Sequence, residues 1–451
     1  MRNERDSYDI LDAALARALR LDGVTEADAV FMSADQNISR FANSQLHQNM
    51  SEESAWLTLR VVAGASMGVA TTTVFDDDEL ARTAELARES ARHAGELPKF
   101  AGLYRGDEPV PQLDTYDEAT AQLSPATKAQ SLREMFDRGR ERGVEFAGVY
   151  STGGVSVAAG NSHGVRRWCR VTSADATVIA ITPTSSGYAT RRERRNEQLD
   201  LAALGDEATL KATLCLETQQ QLEPGTYDVI LEPPALSEVF EWLNMIALTG
   251  QSFEDGSSFF VGNLGKRVLG ENFTLTDDSL DEDFLPFPFD LEGMPRRRYT
   301  LIDQGSPVTP ALDKAWADRL GMQPTASTWH LGSPEHGAAY HLAMAGGTST
   351  REEMLRSTKL GIWVTRFNYV NGLLEPKTAL MTGTTRDGTF LVRDGEVVAR
   401  LPNLRWTQSM VEAFANIESL SAERHNIGMW FNAFGGTRAP VAKFRGWKFG
   451  S

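Results

Sequence analysis

The chain has 451 residues, with 45 Lys plus Arg against 61 Asp plus Glu, a formal net charge of −16. Apolar residues make up 41% and charged residues 24%, the balance of a globular chain, not of a fibrous, collagen-like or disordered one. Two cysteines, Cys169 and Cys215, and seven histidines are too few for a disulfide framework or a Cys-rich zinc module.

In chain order, apolar residues at helical spacing (Ile10, Leu11, Ala14, Leu15, Ala18) predict a helix over 8–21, stopped by Gly23. Residues 56–63 and 69–75 read as strands around a 64–68 turn. Asp76, Asp77 and Asp78 then open a helix to Arg92, with acids at the positive end of its dipole. Residues 98–125 read as a connector. Ser124 and Pro125 start the next helix, which runs to Arg142 and stops at Gly143. Four strand-like segments follow (146–151, 155–159, 164–173, 175–182), then a helix over 208–221. The sequence so repeats helix and strands in 7–95 and 125–221, as a weak duplication. Pro224-Gly225 divides a unit 1–224 from a unit 225–451. The second unit opens with a strand over 227–231 and an apolar helix over 235–248. A Gly-, Ser- and Asp-rich stretch reaches Pro310, and Thr309-Pro310 caps a short helix ending at Gly321. Thr350 and Glu353 form a capping box. Asp394-Gly395 between 390–393 and 396–400 is a hairpin signal, because Asp-Gly tolerates the positive φ of a type I′ turn. The expected class is α+β: a mixed α/β N-terminal unit, then a β-rich, mostly antiparallel C-terminal unit.

Candidate chemistry is sparse. Net acidity argues against nucleic acid, whose phosphates are held by Lys and Arg. The basic runs Arg191-Arg192, Arg194-Arg195 and Arg296-Arg297-Arg298 have acidic neighbours and read as ion-paired or solvated faces. No apolar run approaches the ~18–20 residues of a membrane span. The first residues lack the apolar core of a signal peptide, so a cytoplasmic location is expected. Gly64, Ser66 and Gly68 match a nucleophile-elbow pattern, but strands on both sides favour a hairpin turn. His330, His336 and His341 are spaced six and five apart, with Gly332, Pro334 and Gly337 among them. That spacing and those breakers do not suit a helical zinc pair, so locally hydrogen-bonded histidines are favoured. Asp277, Asp278, Asp281, Glu282 and Asp283 lack EF-hand spacing and read as a solvated acidic loop. Nothing supports a nucleotide cofactor: the 262–266 segment has Arg267 where a P-loop needs Ser or Thr.

The order of several segments adds a resemblance. RFANSQLHQN (40–49) precedes LRVVAGASMGVA (59–70), NSHG (161–164), GTYDVILEP (225–233) and LTDD (275–278). FDLEGMP (289–295), TLIDQG (300–305), YHLAMAGGTSTREEM (340–354), KLGIWV (359–364) and DGEV (394–397) follow. The series covers nearly the whole chain and resembles the TldD/PmbA family, historically called modulators of DNA gyrase. The resemblance implies a heterodimeric zinc metalloprotease of a TldD and a TldE (PmbA) subunit, processing unfolded or small peptides. In that family the TldD subunit holds zinc through an H-E-x-x-x-H helix and a C-terminal Cys, the Glu being general base. Here the matching helix reads ALSEVFEWLN (235–244), with glutamates but no His, and both cysteines lie in the first half. The chain therefore looks like the TldE (PmbA) subunit. It is expected to carry no catalytic or metal residue, with zinc in a TldD-like partner and an extended peptide as substrate. Leu236, Val239, Phe240, Leu243, Met245, Ile246 and Leu248 predict a packing helix with Glu238 and Glu241 outward. His330, Glu335, His336, Tyr340 and His341 are the expected peptide- or partner-facing residues. The alternatives are a non-proteolytic scaffold or peptide-binding protein, and an independent hydrolase.

Overall fold

The computed structural model describes residues 1–329, 331, 337–429 and 435–450. The chain is α+β, built on two sheets. The first has the order β3-β2-β1-β4-β5-β6 and is antiparallel throughout. Its strands are β1 (Val24–Ala42), β2 (Gln45–Ala63), β3 (Ser66–Thr72), β4 (Glu145–Asn161), β5 (Arg166–Ile181) and β6 (Ser186–Glu193). The helices of this part are α1 (Glu4–Ala18), α2 (Asp77–His93), α3 (Glu118–Ala121), α4 (Pro125–Glu141) and α5 (Leu201–Thr213).

Alternation along β1 explains the layering. Ala27, Ala29 and Phe31 pack with α1 and α2 residues such as Leu11, Leu15, Leu80 and Ala84. Val30 and Met32, on the opposite face, pack with Phe287, Phe289 and Leu291 of the C-terminal unit. The sheet is thus covered by helices on one side and by the second unit on the other. Because both faces of its first half, Glu26 to Ser33, are buried, the strand lacks the apolar–polar alternation of a half-exposed one, and sequence reasoning passed over it. β4 and β5 each run unbroken where two short segments were expected. Within β4, Gly153 pairs with Gln36 of β1, and a side chain there would strike the backbone of Asp35.

The second sheet contains β7 (Gly225–Leu231), β8 (Leu275–Asp277), β9 (Tyr299–Asp303), β10 (Ser306–Pro307), β11 (His341–Met344) and β12 (Leu360–Glu375). It continues with β13 (Leu380–Arg393), β14 (Glu396–Arg400), β15 (Arg405–Ser409), β16 (Ile417–Gly428) and β17 (Gly436–Gly450). Its path is β10-β9-β8-β11-β17-β15-β13-β12-β7, and β7 pairs back onto β17, so β17, β15, β13, β12 and β7 close a ring. The pairings are antiparallel except β7–β12 and β11–β17. Helices α6 (Pro233–Ile246), α7 (Gly250–Glu254), α8 (Lys314–Leu320), α9 (Arg351–Arg356) and α10 (Met410–Ala415) complete the unit. Its core centres on Phe240, Phe273, Phe414, Phe444, Trp406 and Trp447. No helix among the described residues is long and apolar enough to cross a membrane.

Local signals mark most helix ends. Asp76 and Ser124 cap α2 and α4 through their side chains, and Thr350 and Glu353 form the capping box of α9. Asp394 (φ 50°) and Gly395 (φ 86°) make the β13–β14 turn. Two helices are shifted from expectation. α5 starts at Leu201 behind an Asp200 cap, and α8 is capped by Asp313 instead of Thr309-Pro310. The basic runs are ion-paired: Arg191 with Glu207, Arg192 with Asp175, Arg194 with Asp114, Arg296 with Asp277 and Arg298 with Asp278. The acidic stretch is accordingly not a solvated loop at its start. Asp277 and Asp278 are buried, because those arginines neutralise them.

Candidate functional site

Pro233 and Pro234 occupy the first turn of α6, where a missing N–H costs nothing. Leu236, Val239, Phe240 and Leu243 are buried in the core of the C-terminal unit. Met245, expected to pack, is exposed. Pro234, Ser237, Glu238 and Glu241 share the face spaced i, i+3, i+4, i+7 and line a cavity of about 240 Å³ between the two units. The facing wall comes from the first sheet, with Asp175 on β5 and Tyr188 and Arg192 on β6, and Arg366 of β12 lies beside them. Ligand pockets commonly span ~300–1,000 Å³, so this one admits a few side chains and not a whole peptide.

The wall is held by charge. Arg192 pairs with Asp175 and donates to the Gly435 carbonyl at 2.9 Å. Arg366 grips Asp387 through Nε and Nη2 at 2.8 and 2.5 Å, and its guanidinium lies 4.4 Å from the Tyr188 ring centre. Ser186 Oγ donates to the same Asp387 carboxylate at 2.6 Å, so one residue of the second unit ties β6 to β12. Asp387 has a φ of 51°, at a register break between β12 and β13 that turns its side chain toward β6. Burial pushes the Tyr188 hydroxyl up. Glu193, next to Arg192, is pushed up to about 7 by burial, against a hydrogen bond from Asn426.

α6 carries Glu238 and Glu241 but has no histidine anywhere along Pro233–Ile246, so it contains no H-E-x-x-x-H pattern. Zinc prefers imidazole and thiolate ligands, and protein sites supply at least three. Cys169 is buried on β5 among Val30, Met32 and Phe289, and burial pushes its thiol up. Cys215 is directed to the Val397 carbonyl at 3.5 Å. Of the histidines, His163 lies 3.1 Å from Glu26, and His425 lies 2.9 Å from Glu423. Among the described residues no three His, Cys, Asp or Glu side chains are grouped to hold a metal ion. The residues on α6 do not fit zinc.

Of the five residues expected to face a peptide or partner, His330, Glu335 and His336 lie outside the described residues. Tyr340 (4% exposed) and His341 (0% exposed) are buried, so an outward-facing role does not fall on them. The His341 N–H donates to Asp277 Oδ1 at 3.0 Å, and Arg296 donates to that oxygen at 2.7 Å. The Arg296 guanidinium also lies over the Tyr340 ring. Their polar groups suggested a surface, but β11 is buried at all four positions between β8 and β17. Ser66 starts β3 in a hairpin, donating to the Ala94 carbonyl at 3.4 Å. Gly64 (φ 64°) makes that turn, and Gly68 lets the α2 backbone at Ala87 and Ala91 approach. The glycines of the elbow-like pattern thus have structural work. Sequence reasoning missed Asp175, Tyr188, Arg192 and Arg366 as walls of one cavity, and nothing local marks them.

Two stacked α+β units, with a helix of the second facing the sheet of the first across a cavity, define the class. Family models match in the same order: PmbA/TldA metallopeptidase domain 1 over 27–91, the central domain over 118–216 and the C-terminal domain over 224–451. The chain belongs to the TldD/PmbA metallopeptidase family. Among curated relatives, a metalloprotease of Methanothermobacter thermautotrophicus is 21% identical over 246 residues, 54% of this chain and 53% of that protein. A Buchnera aphidicola metalloprotease TldD homolog is 22% identical over 265 residues, 57% of this chain and 53% of that protein. The chain thus matches about half the length of these relatives. Among solved structures, TldE from Thermococcus kodakarensis superposes with a TM-score of 0.86 at 17% identity, covering 98% of this chain and 100% of that one. A modulator-of-DNA-gyrase protein from Bacteroides thetaiotaomicron gives 0.84 at 18% identity, over 100% of both chains. At these identities the superpositions speak for the fold.

Proposed function

We propose that this chain is the metal-free, TldE-like subunit of a heterodimeric zinc metalloprotease that processes unfolded or small peptides. The observation that carries this reading is the cavity-facing turn of α6. It presents Ser237, Glu238 and Glu241 to the cavity, the helix has no histidine along its length, and both cysteines are committed elsewhere. A glutamate without a metal-bound water beside it has no activated nucleophile to deprotonate. The zinc and its chemistry then belong to a TldD-like partner. This chain's part is to wall the shared chamber, with unpaired strand edges offering backbone hydrogen bonds to an extended peptide. A cytoplasmic site of action belongs to the same reading.

The test is co-expression with a paralogue that carries H-E-x-x-x-H. A stable one-to-one complex is expected, with zinc in the paralogue and peptide cleavage only by the pair. Stoichiometric zinc on the isolated chain, or cleavage by it alone, favours an independent hydrolase and overturns the reading. A paralogue that cleaves equally well alone, with no complex formed, favours a scaffold.

A further inference from the structure

A second cavity, of about 250 Å³, lies where the two units join. Its walls come from the β5–β6 turn at Ser185 and Ser186, from Gln219 and Gln221 of the segment leading to β7, and from Thr389 and Asn403 of the second unit. Arg400, at the end of β14, is one of its lining residues and is only 6% exposed.

Arg400 differs from the other buried arginines. Arg60, Arg194 and Arg296 each have a carboxylate oxygen close by, at 2.5, 2.9 and 2.7 Å. Among the described residues no carboxylate lies within 4 Å of Arg400. Its Nη1 donates to the Lys211 and Leu214 carbonyls at 2.8 and 3.2 Å, and its Nη2 donates to the Ser186 carbonyl at 2.6 Å. Two of those carbonyls sit at the C-terminal end of α5, whose dipole offers only about half a negative charge. Asp387 also lines the cavity, but Arg366 and Ser186 already engage its carboxylate. Burial pushes the Arg400 guanidinium down, with the Asp387 charge opposing that shift only in part. A buried charge is costly until something pairs it.

We propose that this cavity is a binding site for a small oxyanion, a carboxylate or a phosphate, with Arg400 supplying the charge. Guanidinium is the side chain best matched to planar or tetrahedral oxyanions, and the amide-bearing residues Gln219, Gln221 and Asn403 also line the cavity. Since both units contribute, the anion would bridge them beside the seam closed by Asp387. The site is separate from the α6 face, and the proposal does not depend on the metal-free reading.

The test is isothermal titration calorimetry on the full chain, with sodium chloride at matched ionic strength as reference. The probes are inorganic phosphate and trialanine with a free or an amidated C-terminus. Saturable one-site binding of phosphate, or of free-acid but not amidated trialanine, is expected. Phosphate alone assigns the free ion, and the free-acid peptide alone assigns a peptide C-terminus. Arg400→Gln and Asn403→Glu should each weaken binding about tenfold or more, through the lost charge and a rim repulsion respectively. If Arg400→Gln does not fold, the exposed-rim variant Asn403→Glu decides alone. Failure of both phosphate and free-acid trialanine to bind saturably overturns the proposal, as does unchanged affinity in the folded variants.

Discussion

Replacing Arg60 by Met probes the seam between the first sheet and the second unit. Arg60 on β2 is 2% exposed and donates to Asp28 of β1 at 2.9 and 2.5 Å and to Glu292 of the second unit at 2.7 Å. Glu292 in turn accepts the Lys314 N–H at the start of α8, at 3.2 Å. One guanidinium therefore serves two buried carboxylates from two units. Methionine matches its length but leaves both carboxylates without a counter-charge. Burial pushes the Asp28 carboxyl up even with Arg60 present, since Arg60 offsets that desolvation only in part. Removing one partner of a buried ion pair costs roughly 3–5 kcal/mol, and that range is expected at pH 7. The sign of the pH dependence follows. A carboxyl whose folded-state pKa is raised adds stability at low pH and loses it as pH rises, so the variant should recover toward pH 5 by about 1 kcal/mol or more. Urea denaturation at pH 5 and pH 7 measures both quantities. A loss below about 1 kcal/mol at pH 7, or one that does not change with pH, would refute this account of the seam.

Other consequences can be measured in the same way. Glu193, held at about 7 in place of 4.5, opposes folding by roughly 3 kcal/mol once fully ionised. Its contribution is intact below about pH 4.5 and is lost as pH rises through about 7. Glu193→Gln should therefore gain on the parent between pH 5 and pH 9 in chemical denaturation, and parallel curves would sink the idea. A side chain at Gly187 of β6 would meet the α5 backbone at Ala208 and Ala212, so Gly187→Ala should cost about 1–3 kcal/mol by thermal or urea unfolding. A neutral result would mean that α5 can move away. Ser66→Ala should leave the fold and the cleavage rate of a co-expressed pair unchanged within about twofold. A tenfold loss of rate with the fold intact would revive Ser66 as a nucleophile.

What could be read from the sequence is what local chemistry sets. Asp76, Ser124 and Thr350 announce helix starts because a short polar side chain satisfies the free N–H groups of a first turn in any context. Asp394-Gly395 announces a hairpin because its turn needs positive φ. The absence of imidazole from α6 is equally a property of the string of residues. Tertiary structure decided the rest. β1 is a strand because helices and a second unit cover its two faces, and no residue of β1 records both covers. Tyr340 and His341 are inside because β8 and β17, distant in sequence, flank β11, and Arg296 packs over the Tyr340 ring. The α6 cavity joins Asp175, Tyr188 and Arg192 to Glu238 and Arg366 across the seam, and Arg400 meets Ser186 in the same way. Such sites depend on which surfaces come to face each other, and that is set by burial of the whole core and not by any neighbour along the chain.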